Sequence, residues 1–151
     1  MIQQVTDLRR RDQRILNILR VMAQDVAPVR GAKLASALVH RNDIVSFGIN
    51  QFRSHPLQAK YGKNQDAIFL HSEIDAIRNA LNHTTADFLQ RCSLFVYRVK
   101  RSGGGPRAHW CSGTAHPCEG CTRAIAAFGI RRVVNSTNNA MEVEVWQHEN
   151  S

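Results

Sequence analysis

His71-Ser72-Glu73 and, 44 positions further on, Pro117-Cys118-Glu119-Gly120-Cys121 place four reactive side chains at spacings that decide how the chain must fold. Together they bring one imidazole, two thiols and a carboxylate that need not bind metal. A zinc ion held by three protein ligands keeps a fourth position open, and this separates a catalytic site from a closed structural one. Cys118 and Cys121 stand three residues apart, so on a helix they share one face. Pro117 suits the first helical turn, where its missing N–H costs nothing. The positive end of that helix favours the thiolate form that zinc needs. His71 opens another predicted helix and can give a ring nitrogen to the same ion. Glu73, two residues on, points elsewhere on the turn and is free to carry protons. Each piece has a plainer explanation alone: a redox C-x-x-C, a capping His, a first-turn carboxylate favouring the dipole. None of these explains the joint pattern.

Working outward, residues from about Asp7 to Val26 carry Leu8, Ile15, Ile18, Leu19, Met22 and Val26 at helical spacing. Thr6 or Asp7 is the expected cap, and Pro28 follows the end. Arg9-Arg10-Arg11 on the early turns fits a solvated face better than a phosphate contact. Leu34–Val39 and Ile44–Ile49 are strand-like runs around the turn cluster Arg41-Asn42-Asp43, a hairpin. Gln51–Ala67 is expected to be loop, and loops of such length are usually functional or mobile. His71–His83 returns to helical spacing with Ile74, Ile77 and Leu81 as its buried stripe. Leu94–Val99 is a third strand, and Ser102-Gly103-Gly104-Gly105-Pro106 a turn or loop. Cys118–Phe128 is a second core helix closed by Gly129. Arg131–Asn135 and Met141–Trp146 are the last two strands. Only Ser136–Ala140 separates them, too short for the crossover of a parallel pair, so they should run antiparallel. The order αββαβαββ predicts the α/β class, a three-layer α/β/α sandwich around a five-stranded mixed sheet.

With 151 residues and a hydrophobic fraction of 43%, the chain is expected to be a single domain, 1–151, with a real core. No apolar run is long enough for a membrane span. The start of the chain lacks a charged region followed by an apolar one, so no signal peptide is expected. Pairing C-x-x-C with a distant His favours metal or redox use over a disulfide framework and fits a reducing compartment, the cytoplasm. Cys92 and Cys111 fit no ligand spacing, and a buried small thiol suits them better. The net charge of +8 comes mainly from Arg, whose planar fork suits phosphate. It fits a nucleotide or polyanion partner, and equally a basic surface kept for solubility.

From about Leu34 to Trp146 the chain resembles the cytidine deaminase superfamily, whose zinc nucleobase deaminases carry an H-x-E…P-C-x-x-C signature. The likeness rests on Gly48-Ile49-Asn50, on His71-Ser72-Glu73-Ile74-Asp75-Ala76-Ile77, on Pro117-Cys118-Glu119-Gly120-Cys121 and on Gly129-Ile130-Arg131-Arg132-Val133-Val134. The His-plus-two-Cys set and Ala76-Ile77 look most like the deoxycytidylate and polynucleotide branches. The antiparallel final pair is more like the free cytidine deaminases and some deaminase toxins. The expected layout is the N-terminal helix within 1–30, read from its periodicity, followed by a catalytic core over 34–146 that the resemblance implies. The resemblance also implies that His71, Cys118 and Cys121 bind zinc and that Glu73 is the proton shuttle. It implies, too, that Asn50 binds sugar or base and that the backbone of Ser72 meets the pyrimidine carbonyl. Arg53-Ser54-His55-Pro56 is not a standard segment of the deoxycytidylate enzymes.

The expected function is hydrolytic deamination of cytosine to uracil in a free nucleoside or nucleotide, resembling dCMP or deoxycytidine. Zinc lowers the pKa of water from 15.7 to about 7 and so supplies the nucleophilic hydroxide. Arg53, His55, Lys60 and Lys63 follow Asn50, either cradling a phosphate or forming an ordinary basic loop. His116 is a candidate for substrate contact or for a structural role. The expected partners are the small substrate and further copies of the chain as a homo-oligomer, with no membrane. One alternative is deamination of single-stranded DNA or RNA, although such binders usually present aromatic platforms and this chain is not rich in them. A zinc-stabilised binding module is the other, and it would have no use for Glu73.

Overall fold

Leu94, Val96 and Arg98 alternate with Phe95, Tyr97 and Val99 along the longest strand, and this alternation divides the molecule into layers. The computed structural model describes residues 1–26, 33–51, 53–62, 69–103 and 109–147. Its elements run β1 (Ile2–Gln4), a 3-10 turn (Val5–Asp7), α1 (Arg10–Gln24), β2 (Lys33–His40), β3 (Asp43–Ile49) and α2 (Pro56–Gly62). They continue through α3 (Ser72–Leu81), a 3-10 turn (Asp87–Arg91), β4 (Ser93–Ser102), β5 (His109–Gly113), α4 (Glu119–Ala127), β6 (Arg132–Ser136) and β7 (Glu142–Gln147).

The sheet is mixed, in the order β1-β7-β6-β4-β2-β3, with β5 added alongside β4. Among the described residues only β4 and β6 pair in parallel, and α4 lies in the connection between them. The first half of β4 pairs with β6 from Ser93 to Val96, and its second half pairs with β5 from Arg98 to Ser102. Ser136 fills this fork. Its Oγ accepts from the Arg98 amide at 2.9 Å and donates to the Gly113 carbonyl at 2.7 Å.

Leu94 and Val96 pack with Leu38 and Val133 against Ile74 and Ile77 of α3 and Ile125 of α4. On the opposite face Phe95, Tyr97 and Val99 pack with Ala35, Ala37 and Val39 against Ile15, Leu16 and Leu19 of α1. Helices therefore cover both faces of the sheet. Buried Asp12 fastens α1 to β6 through Arg132 at 3.0 Å and also holds Arg11. Arg9 and Arg10 are exposed.

Among the described residues the sheet has seven strands, not the five expected. β1 is only three residues long, and its pairing with β7 gives no periodic signal. It also shortens the first helix: Val5–Asp7 form the turn away from the sheet, and Arg9 precedes the helix in place of Thr6 or Asp7. β5 alternates poorly and owes its conformation to pairing with β4. The expected loop Gln51–Ala67 contains α2. Cys118 itself caps α4, so Pro117 stands before the helix and not in its first turn. β6 and β7 are antiparallel, Val134 facing Val145. Pro28, Lys63 and Gly104–Pro106 lie outside the described residues.

α3 lies directly on β3. A Cβ at Gly48 would fall 2.2 Å from the Ser72 carbonyl oxygen and 2.3 Å from the Ala76 nitrogen, both backbone atoms. Polar contacts hold this approach: Ser46 Oγ donates to the Ala76 carbonyl at 2.7 Å, and Asn79 Nδ2 to the Phe47 carbonyl at 2.7 Å. Gly48→Ala must push the helix away, with an expected loss of about 1–3 kcal/mol. Chemical denaturation measures it; an unchanged midpoint would mean that the helix is not held by this contact.

Candidate active site

His71 is the extended residue before α3, and Cys118 is the extended residue before α4. Both helix N-termini therefore meet at one place and bring partial positive charge to it. The Cys118 sulfur accepts from the Cys121 amide at 3.4 Å, serving as the helix cap. Buried Gln58 of α2 fixes the entry to α3 by accepting from the His71 amide at 3.1 Å. Arg123 of α4 donates to the carbonyls of Tyr61 and Gly62 at the end of α2. Gly120 lets the two helices approach: a Cβ there would lie 3.0 Å from Gly62 Cα.

The donor atoms of His71, Cys118 and Cys121 all lie within 4.8 Å of one another, a group that could hold a metal ion. His71 Nδ1 is 3.4 Å from Cys118 Sγ and 3.3 Å from Cys121 Sγ. Tetrahedral zinc with ordinary bond lengths requires N···S separations of about 3.5 Å, so the donors fit. Cys121 is fully buried, His71 half-buried and Cys118 exposed, so the group opens on one side.

The electrostatics are those of donors sharing one charge. Hydrogen bonds from Cys121 and then His71 overcome burial and lower Cys118 to about 4. Cys121 is raised well above an ordinary thiol by its bond to Cys118 and by burial. His71 is raised, chiefly by its bond to Cys118. Glu73 is buried, and burial pushes its carboxyl up against the attraction of His71. Its Oε2 accepts from Cys121 Sγ at 3.5 Å and from Ser72 Oγ at 3.4 Å. Ser72 Oγ in turn meets Ser36 Oγ at 2.7 Å.

A cavity of about 300 Å³ opens over these groups, lined by Asn50, His71, Ser72, Glu73, His116 and Cys118 among others. That volume lies at the small end of ligand pockets, about 300–1,000 Å³, and suits one small molecule. Asn50 is held by β2, its Oδ1 accepting from the Leu34 amide at 2.9 Å. His116 bonds Glu144 through Nδ1 and stacks against Trp146 with centroids 5.7 Å apart.

Arg53 and His55 do not line the cavity. Exposed Arg53 donates through Nε to Gln51 Oε1 at 2.5 Å, and His55 Nδ1 accepts from the Leu57 amide at the start of α2. Lys60 lies 5.4 Å from the Tyr61 ring centroid. Cys92 is buried, which raises its thiol to about 11, and half-buried Cys111 donates to the Lys100 carbonyl. Neither thiol joins the donor group.

Sequence reasoning passed over Leu34, Arg98, Thr114 and Ala115, all of which line the cavity. Arg98 had a signal. It continues the alternate row of Leu94 and Val96, whose face carries α3 and α4.

No curated protein matches the chain. The family model described as the cytidine and deoxycytidylate deaminase zinc-binding region matches residues 9–137. The match takes in α1, ahead of the Leu34 boundary expected from resemblance, and stops before β7. It spans both helix N-termini, the His/Cys/Cys group and the parallel β4–β6 pair. The chain therefore belongs to the cytidine and deoxycytidylate deaminase zinc-binding family, and zinc is the metal of its site.

Proposed function

We propose that the protein is a hydrolytic deaminase converting cytosine to uracil in a free nucleoside or nucleotide. The observation that carries this reading is the buried Glu73 carboxyl beside the three metal donors, at the floor of a cavity of small-molecule size. His71 Nδ1 and the sulfurs of Cys118 and Cys121 are the atoms that would hold zinc. Bound zinc supplies a Lewis acid able to lower the pKa of water from 15.7 to about 7.

Glu73 takes one proton from the attacking water and delivers it to the ring nitrogen beside the reacting carbon. It then passes the second water proton to the exocyclic amine. The carbon–nitrogen bond breaks, a carbonyl forms and ammonia leaves, so one water is consumed for each amine released. Burial holds the carboxyl above its ordinary value, the direction a group must shift to give and take protons near neutral pH. Asn50 and Ser72 line the cavity where they can orient the sugar or base, and His116 stands at its exposed edge. A zinc-stabilised module without chemistry leaves the cost of burying Glu73 unexplained.

The direct test is ammonia release by zinc-loaded protein from cytidine, deoxycytidine, CMP, dCMP and single-stranded DNA. No release from any of them would sink the proposal. Elemental analysis should find about one zinc per chain, and Cys121→Ala should lose both metal and thermal stability. Glu73→Gln should keep zinc and fold while slowing turnover by about 10² or more.

The same variant has a stability signature in the metal-free protein. Between the unfolded and folded pKa values of Glu73 the native state holds a proton that the unfolded state has released. Wild-type stability therefore falls as pH rises through that window. Glu73→Gln escapes this penalty, so its Tm advantage should widen from acid to neutral pH. A variant less stable than wild type throughout would refute the burial argument.

A further inference from the structure

We propose that Arg98 is the anion anchor of the cavity and that the substrate is accordingly a nucleoside monophosphate, its phosphate held by this guanidinium. This rests on the deaminase reading above and narrows it.

Arg98 belongs to the part of β4 that has left β6 for β5. Its strand neighbours are Leu34 on one side and Gly113 on the other. The side chain lies across Gly113: a Cβ there would sit 3.1 Å from both Cγ and Cδ of Arg98, and 3.4 Å from Nε. Glycine leaves room for the stem beside the cavity, and Ser136 clamps the two backbones together.

The guanidinium is under-used. One terminal nitrogen donates to the Thr114 carbonyl at 3.2 Å, while Nε is buried and has no acceptor. Arg11, Arg78, Arg123 and Arg132 all pair with carboxylates; among the described residues Arg98 pairs with none. A half-buried cation with an unmatched donor carries a desolvation cost that an anionic ligand would offset. The planar fork matches phosphate geometry, and phosphate is the anionic group that distinguishes a cytosine nucleotide from a nucleoside.

The cavity favours a mononucleotide over a strand. Apart from its histidines, no aromatic side chain lines it among the described residues, whereas single-strand binders stack bases on such rings.

The test compares Arg98→Ala and Arg98→Lys with wild type, using dCMP, CMP and their nucleosides as substrates and titration calorimetry for dCMP binding. Arg98→Ala should lose about tenfold to a hundredfold in kcat/KM for the monophosphates, mostly through KM, with little change for the nucleosides. Arg98→Lys keeps the charge without the fork and should fall between. Inorganic phosphate should inhibit wild type competitively and lose that effect in Arg98→Ala.

Equal losses on nucleoside and nucleotide would overturn the proposal, leaving Arg98 a positioning role. It would also fall if Arg53→Ala, and not Arg98→Ala, gave the selective loss, or if wild type preferred single-stranded DNA. Calorimetry separates the two claims. Binding of dCMP that depends on Arg98 without turnover would keep the anchor and reject the reaction. Turnover of nucleosides without such binding would do the reverse.

Discussion

The contact between Gly48 and the first turns of α3 sets the distances on which the site depends. Ser72, whose carbonyl lies against Gly48, stands between His71 and Glu73, so the strand fixes both side chains at once. Asp75 repeats the attachment one turn on. Its carboxylate accepts from the Ile49 amide at 3.0 Å, from Gln51 Nε2 at 3.1 Å and from Arg78 Nε at 3.0 Å. A helix held by backbone contact and charged hydrogen bonds has little freedom to slide. Donor atoms that must be placed to within about half an ångström need such a platform.

Among the described residues three carboxylates are buried, and they differ in a telling way. Asp12 and Asp75 each have arginine partners, so their charge is compensated and they serve as structural ties. Glu73 has hydroxyl and thiol neighbours, and no arginine or lysine pairs with it among the described residues. Folding alone would favour an uncharged side chain there. Departures from local favourability of this kind concentrate where a protein works.

How much was legible in the sequence depended on the range of the interaction. The donors and Glu73 were legible because their spacing within each motif is local: a three-residue step from one thiol to the next, a two-residue step from an imidazole to a carboxyl. The central strands were legible because both their faces are buried and their side chains alternate. β1 and β5 were not, since a short edge strand is defined by its partner. Arg53 follows Asn50 closely in sequence, yet the chain turns there. The Gln51 amide donates to the Leu70 carbonyl and the Leu70 amide to the Arg53 carbonyl, which sets this segment beside the entry to α3. Arg98 comes to the cavity from much further along the chain, by strand register that no local pattern reports.

The fork in β4 gives one strand two unrelated duties. Its first half, Ser93–Val96, pairs with β6 in the core; its second half pairs with β5 and brings Arg98 to the lining of the cavity. Arg98 lines the cavity, while its neighbours Tyr97 and Val99 pack in the core against α1. Cavity lining and core packing are thereby assigned to alternate side chains of a single strand. For an engineer, or for natural drift, the Arg98 side chain can change without touching the core packing of its neighbours, while the donor group stays with the two helix N-termini.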